Sequence, residues 1–411
     1  MRNATLTDLA ELLKDQQARK VDMVVPSSAI HSRNGVIVVA GAEGVIDADG
    51  VTDPNGEYHP TEVFDEGVSG KFKIPLQYVR RLRADAPDLY DTNLNGWLHG
   101  KRIRRSPEDV TVIRDVDKRN FLLRCFRGSE GVTGVARALL SDRFALIDNF
   151  DVLTAALKGV KDAGVDVHSD GIQCDLSDRR MFVRIPAPQI AVQAPKLLDG
   201  YRSPFTDPAL EEQRNHGWSL DRGLAAAAAE GMKYEGDPVV FAGIELVNSE
   251  VGLNQFEIRP VITIRVCKNG LVITEQTFKR VHVGGRLDEG QINWSEATQQ
   301  KALDLIVAKT TDAVRTFLNV EFVQGVVDAI EEKSGVRVSE PRKTVEVLAK
   351  KLSFSEAETN GILNHFTLGG QMTAGGVLNA ITSFSQTVAN ADRAHQLDEL
   401  GLQALDLVAA G

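Results

Sequence analysis

Cysteine is scarce: 3 of 411 residues, Cys125, Cys174 and Cys267, far apart and with no C-x-x-C pair. That spacing argues against a cysteine zinc site and fits buried free thiols. No apolar run approaches the ~20 residues that a helix needs to cross a bilayer. No secretory apolar core follows "MRNATLTDLAELLKDQQARK", which reads as an amphipathic helix capped at Thr7. Glycines follow a strand in "GSEGVTG" (128–134), but the Lys-Ser/Thr of a phosphate loop does not. H-E-x-x-H and G-x-S-x-G are also missing. The acidic loop "DADGVTDPNGE" (47–57) departs from calcium-loop spacing. Nucleotide hydrolysis, zinc chemistry and serine hydrolysis therefore have no sequence support, and no cofactor is expected.

What is present is an average globular composition, 43% hydrophobic and 25% charged, with net charge -10. Such a chain repels nucleic acid and anionic membranes on average, so binding to either needs a local basic patch. The distribution of charge is uneven. Residues 1–70 carry 5 Lys/Arg against 12 Asp/Glu, a net of -7. Residues 71–127 carry 14 against 7, a net of +7. Residues 321–411 carry 7 against 12, a net of -5.

The expected fold is α+β: a mixed or antiparallel β-rich body followed by an all-helical C-terminal third. Three regions are expected. Residues 1–70 form an acidic segment of helix, hairpin and loop, with 47–70 read as loop. Residues 71–294 form a β-rich core containing the basic block and a mobile excursion at 187–236. Residues 295–411 are helical, with Ser295 as a cap. "KFKIP" reads as a short strand before a helix, 110–114 and 119–127 as strands, and "SDRR" and "KNG" as hairpin turns.

"GVARALLSDRFALIDNFDVLTAALKGVKDAG" (134–164) reads as strand, turn and amphipathic helix. Leu153, Ala156, Leu157 and Val160 fall on one helix face. Asp148 or Asn149 sits where an N-cap belongs, and Asp151 where the helix dipole favours an anion. Arg137, Asp142 and Arg143 are left for ion pairs or for a ligand.

In the basic block, Arg124 follows Leu122 by two and shares its strand face, and Phe121 and Phe126 are interleaved with arginines. Basic strands dotted with aromatics suit single-stranded nucleic acid, through phosphate pairing and base stacking. The candidate contacts are Lys101, Arg102, Arg104, Arg105, Lys118, Arg119, Arg124, Arg127 and Arg143. The competing reading is a solvated surface paired with the acidic ends.

Three segments, "ARALLSDRFALIDNFDVL", "GIELVNSEVGLNQFEIRPVITIRVCKNGL" and "GGVLNAITSFSQTV", resemble in order those of a phage/plasmid-like protein family catalogued as a domain of unknown function. The resemblance spans roughly residues 70 to 400. It departs at Ser383-Phe384-Ser385, where the family often has an aromatic or acidic residue. It implies a phage, prophage or plasmid origin and the cytoplasm of a bacterial host, and it carries over no catalytic residue.

The leading expectation is a non-enzymatic nucleic-acid-handling protein, a homo-oligomer of the single-stranded DNA-binding or annealing kind, with no membrane partner. One alternative is an enzyme with a polar site at Arg137, Asp142, Arg143, Asn248 and Glu250. Another is a structural or host-interaction protein using its helical third.

Overall fold

The strand-forming runs are β-branched and apolar, and they pair into two six-stranded sheets. The computed structural model describes residues 1–411 except 48–49, 105–109, 129–131, 145–146, 166–170, 215–238, 254–255, 265–269, 274–277 and 281–295. At 45–47, 50–52, 102–104, 110–113, 270, 278–280 and 296–299 it describes the backbone alone.

The first sheet contains β1 (Lys20–Pro26), β2 (Ile30–Arg33), β3 (Val36–Val39), β6 (Gly56–Pro60), β9 (Asn120–Phe126) and β10 (Gly134–Ser141), in the order β1-β9-β10-β6-β3-β2. Only β10 and β6 run parallel. Asn34 and Gly35 both take positive φ, the tight turn that lets β2 fold back on β3. Helices α2 (Glu62–Phe72), α3 (Leu76–Asp85) and α4 (Pro87–His99) cover one face. Phe64, Val68, Phe72, Leu94 and Leu98 pack there on Met23, Ile37, Leu123 and Leu139. Two ribbons stand apart: β4 (Val45–Asp47) with β5 (Gly50–Thr52), and β7 (Lys101–Arg104) with β8 (Val110–Arg114).

The second sheet runs β11 (Gln173–Leu176), β12 (Met181–Gln193), β13 (Val239–Asn248), β14 (Phe256–Ile264), β15 (Gly270–Val272), with β16 (Phe278–Arg280) also on β14. Every residue of β13 and β14 is buried, because both faces are covered. On one side lie α1 (Leu6–Arg19), α5 (Asn149–Asp162) and α7 (Glu296–Phe317). Gly159 of α5 lies so close to α7 that a β-carbon there would be 2.7 Å from Thr310 Cβ. Farther along the same face, Val240, Ala242, Ile262 and Ile264 pack with α8 (Val320–Ser334) and α11 (Ala374–Ser385), while α12 (Ala391–Ala409) covers the opposite face, where it meets Arg184 and Glu245. A short α6 (Pro208–Gln213), with α9 (Pro341–Leu352) and α10 (Glu356–Gly369), completes the described helices. The chain is thus α+β, β-rich first and helical from α7 onward.

Local expectations differ in places. Thr5, not Thr7, caps α1, in a capping box with Asp8. The described part of 47–70 is not all loop: it holds β5, β6 and most of α2, which Thr61 caps. Phe64, Val68 and Phe72 carry a helical period that the surrounding Asp, Gly and Glu obscured. "KFKIP" is not a strand: Phe72 ends α2 and Lys73 takes the left-handed conformation. Within 187–236, β12 continues to Gln193, and Ala194 and Leu197 are buried beneath α8 and α11. Residues 215–238, Ser295 and most of "KNG" lie outside the described residues, although Thr263 does pair with Gly270 as a hairpin requires.

Candidate functional site

Alternation along β9 places Leu122 and Arg124 on one face, as read from the sequence, but that face is interior. Arg124 is 0% exposed. Its Nε and Nη2 donate to Asp22, directly opposite on β1, at 2.9 and 2.8 Å. Nη2 also donates to Asp148 at 2.6 Å, and Nη1 to the Glu250 carbonyl at 2.9 Å. Lys20 pairs with the other Asp148 oxygen. Burial pushes the Asp148 carboxyl up, but Arg124 and Lys20 outweigh it and hold it well below the usual carboxylate range.

Asp148 therefore does not cap α5, nor does Asn149: neither side chain reaches the helix start. Glu250, in the turn after β13, performs that role. Its Oε1 accepts from the Asn149 backbone N–H at 2.6 Å, and its Oε2 from Arg137 at 2.8 Å. Asn248 donates to the Asn149 side chain at 2.8 Å. The expected polar set is thus partly assembled: Arg137, Asn248 and Glu250 meet, with Asn149 and Asp148 beside them. Asp142 and Arg143 stay outside, and Arg143 is exposed. Each inward carboxylate is already matched by a cation or backbone N–H. The cluster fastens the first sheet to α5 and to the β13–β14 turn, and offers no poised acid or base.

A second ionic layer was not read from the sequence. Arg184, Glu245 and Arg259 stand directly opposite one another across β12, β13 and β14. Arg184 pairs with Glu245 and with Asp398 of α12, both at 2.7 Å. His395 lies between Asp175 at 2.7 Å and Glu245 at 2.8 Å, and its ring stacks on Phe182 at 3.8 Å. Arg2 reaches Asp175 at 2.5 Å. The partners span residues 2 to 398, so no local motif announces them. The available signal was charge set inside apolar runs, one in "MFVRIP" and in "GIELVN" and two in "FEIRPV". This layer is buried as well.

Of the nine candidate phosphate contacts, Arg124 is excluded by burial, and Arg105 lies outside the described residues. Arg102 and Arg104 are on β7, where only the backbone is described. Arg127 is exposed at the far end of β9, beside Arg19, whose carbonyl its N–H meets at 2.7 Å.

The remaining four gather at the other end. Lys118 and Arg119 lead into β9, and Arg143 follows β10 where Ser141 pairs with Phe121. Arg119 donates to the Lys71 carbonyl at 3.2 Å, which adds Lys71 and Lys73 from the end of α2. Lys101 pairs with Arg114 at the foot of the β7–β8 ribbon, and the Asp117 N–H bonds the Leu98 carbonyl at 3.1 Å, which ties the ribbon to the same end. Lys71 is held below the ordinary lysine value by burial and then by the neighbouring Arg119. Arg119 itself is bound to Asp117, and on α3 Arg80 and Arg83 are bound to Glu66 and Asp65. By contrast, among the described residues no ion pair engages Lys71, Lys73, Lys101, Lys118 or Arg143.

The interleaved aromatics are not free platforms. Phe121 is 1% exposed, and Phe126 is covered by Arg137, 4.3 Å from its ring centre. A cavity of about 480 Å3 lies elsewhere, between β15, α8 and α12, and touches neither Arg137 nor Glu250. No group of three or more metal-ligating side chains occurs among the described residues. No described helix is long and apolar enough to cross a membrane.

Compared with family models, with curated proteins and with solved structures, the chain matches none of them at a significant level.

Proposed function

We propose that the protein is a non-enzymatic nucleic-acid-handling protein of a phage, prophage or plasmid, and that it binds single strands at the basic end of its first sheet. The observation that carries this reading is the gathering of Lys71, Lys73, Lys101, Lys118 and Arg143 from four chain segments, none in an ion pair among the described residues, although Lys71 feels the charge of Asp142. In a chain of net charge -10, such a group is a local attractor for phosphates. The β7–β8 ribbon rises from the same end, and its sequence "KRIRR" extends the basic character. The two polar clusters that would have suited an enzyme are closed ionic joints, which favours binding over catalysis. Assembly into a homo-oligomer in the bacterial cytoplasm accompanies this reading.

The test is direct binding of a labelled dT oligonucleotide and of duplex DNA across a salt series. Single-strand binding that weakens steeply with salt is the expected result. Folded protein that binds neither DNA nor RNA at low salt would overturn the proposal.

A further inference from the structure

The basic end contains aromatic rings, but most are spoken for. Arg119 lies over Phe72 at 5.4 Å and over Phe121 at 5.0 Å, and it is locked in place by hydrogen bonds to both Asp117 oxygens. Trp97, in the last turn of α4, is different. It is half-buried, tilted against Phe72 at 6.2 Å, and covered by the guanidinium of Arg114 at 3.2 Å from its ring centre. Arg114 is part exposed, and no ion pair to a described carboxylate holds it. Asp117 is close enough to feel its charge but is bonded to Arg119, and Asp115 is exposed beside it. Arg114 is therefore a flat cation laid on an indole, positioned by the ring.

We propose that Arg114 and Trp97 form the base-stacking platform of this site: an unpaired base stacks on the guanidinium face turned away from the indole. The inference rests on the proposed nucleic-acid function and adds what is recognised there, an unstacked base of a single strand. The indole fixes the guanidinium plane before binding, so little side-chain entropy is lost when a base arrives. Arginine planes and aromatic rings are both sequence-tolerant stacking surfaces, because every base has a π-face. The edge donors of Arg114 remain available to a phosphate, and Lys101, its cross-strand partner, stands next to it. A base inside a duplex presents no such face, so the platform discriminates against double strands.

Trp97 reports on the event. With Trp218→Phe and Trp294→Phe it is the one remaining tryptophan of three. A dT oligonucleotide titrated into this background is followed by Trp97 emission and by anisotropy of a label on the oligonucleotide. The expected result is a saturable change of emission that tracks the anisotropy. Arg114→Ala should weaken single-strand binding about tenfold, within the range for loss of one stacked base. Arg114→Lys should not restore it, because it keeps the charge and loses the plane. Circular dichroism melts show whether each variant is folded. If Arg114→Lys binds like the parent, or if folded Arg114→Ala does, the platform is refuted while the basic-end reading stands. If the parent binds no oligonucleotide, the functional reading fails first and takes the platform with it.

Discussion

The Glu250 carboxylate accepts the backbone N–H of Asn149 at 2.6 Å across 101 positions of sequence. A helix that ordinarily takes its cap from its own first residues takes it here from the turn after β13. The same carboxylate holds Arg137, so one side chain joins α5, β10 and the second sheet.

Removing that side chain should be costly. Glu250→Ala uncaps α5 and leaves the partly buried Arg137 without its partner, a loss of about 3 kcal/mol. Glu250→Gln keeps an oxygen for the Asn149 N–H and should cost clearly less. Urea unfolding of the two variants checks this; equal losses would mean that the cap contributes nothing.

Acid should weaken the protein in two stages. Burial lowers the His365 pKa to about 4, so its ring, bonded to Ser383 at 2.9 Å, is neutral in the fold. The unfolded chain, with histidine near ~6.5, then binds more protons than the folded one between those values, and stability falls as pH drops from about 6.5 to about 4. Asp148 acts later: its folded pKa is lowered, so its contribution is intact above the unfolded carboxylate value of ~3.9 and is lost below it. His365→Gln should flatten the slope of stability against pH above pH ~4 and leave the steeper acid limb. An unchanged slope in that variant would remove His365 as the cause.

The close crossing of α5 and α7 makes Gly159 a packing residue. A methyl there meets Thr310 and the Val307 carbonyl at 2.7 Å. Gly159→Ala should therefore destabilise by about 1–3 kcal/mol, although alanine is the better helix former. Thermal unfolding decides it, since a rise in Tm would mean that the helices separate freely.

The basic end should behave as a surface and Arg124 as a core residue. Lys118→Ala and Arg143→Ala should weaken oligonucleotide binding and flatten its salt dependence, by about 0.7 in log-log slope for each phosphate no longer neutralised. They should leave stability nearly unchanged. Arg124→Ala should instead destabilise by about 3–5 kcal/mol, because Asp22 and Asp148 lose a shared buried partner. Binding and unfolding measured on one set of proteins separate the two roles.

Periodicity in the sequence determined most of the local structure: the strands at 110–114 and 120–126, the hairpin of 173–176 with 181–193, and the run of helices after 295. These are short-range steric and hydrophobic preferences, readable within a window of a few residues. Alternation likewise put Leu122 and Arg124 on one face of β9. Whether that face meets water or protein was decided only when α5 and the Glu250 turn packed against it, and that reversed the meaning of Arg124. The net charge of 71–127 is a sum over sequence, whereas Coulomb attraction depends on distance. Tertiary contacts matched Arg80 and Arg83 with carboxylates, and Arg119 took the nearby Asp117, while Lys118 and Arg143 stayed at the surface. The His395–Glu245–Asp175 layer was illegible for the same reason: its members are 70 to 220 residues apart, and only the pairing of four strands beneath α12 brings them within hydrogen-bonding range.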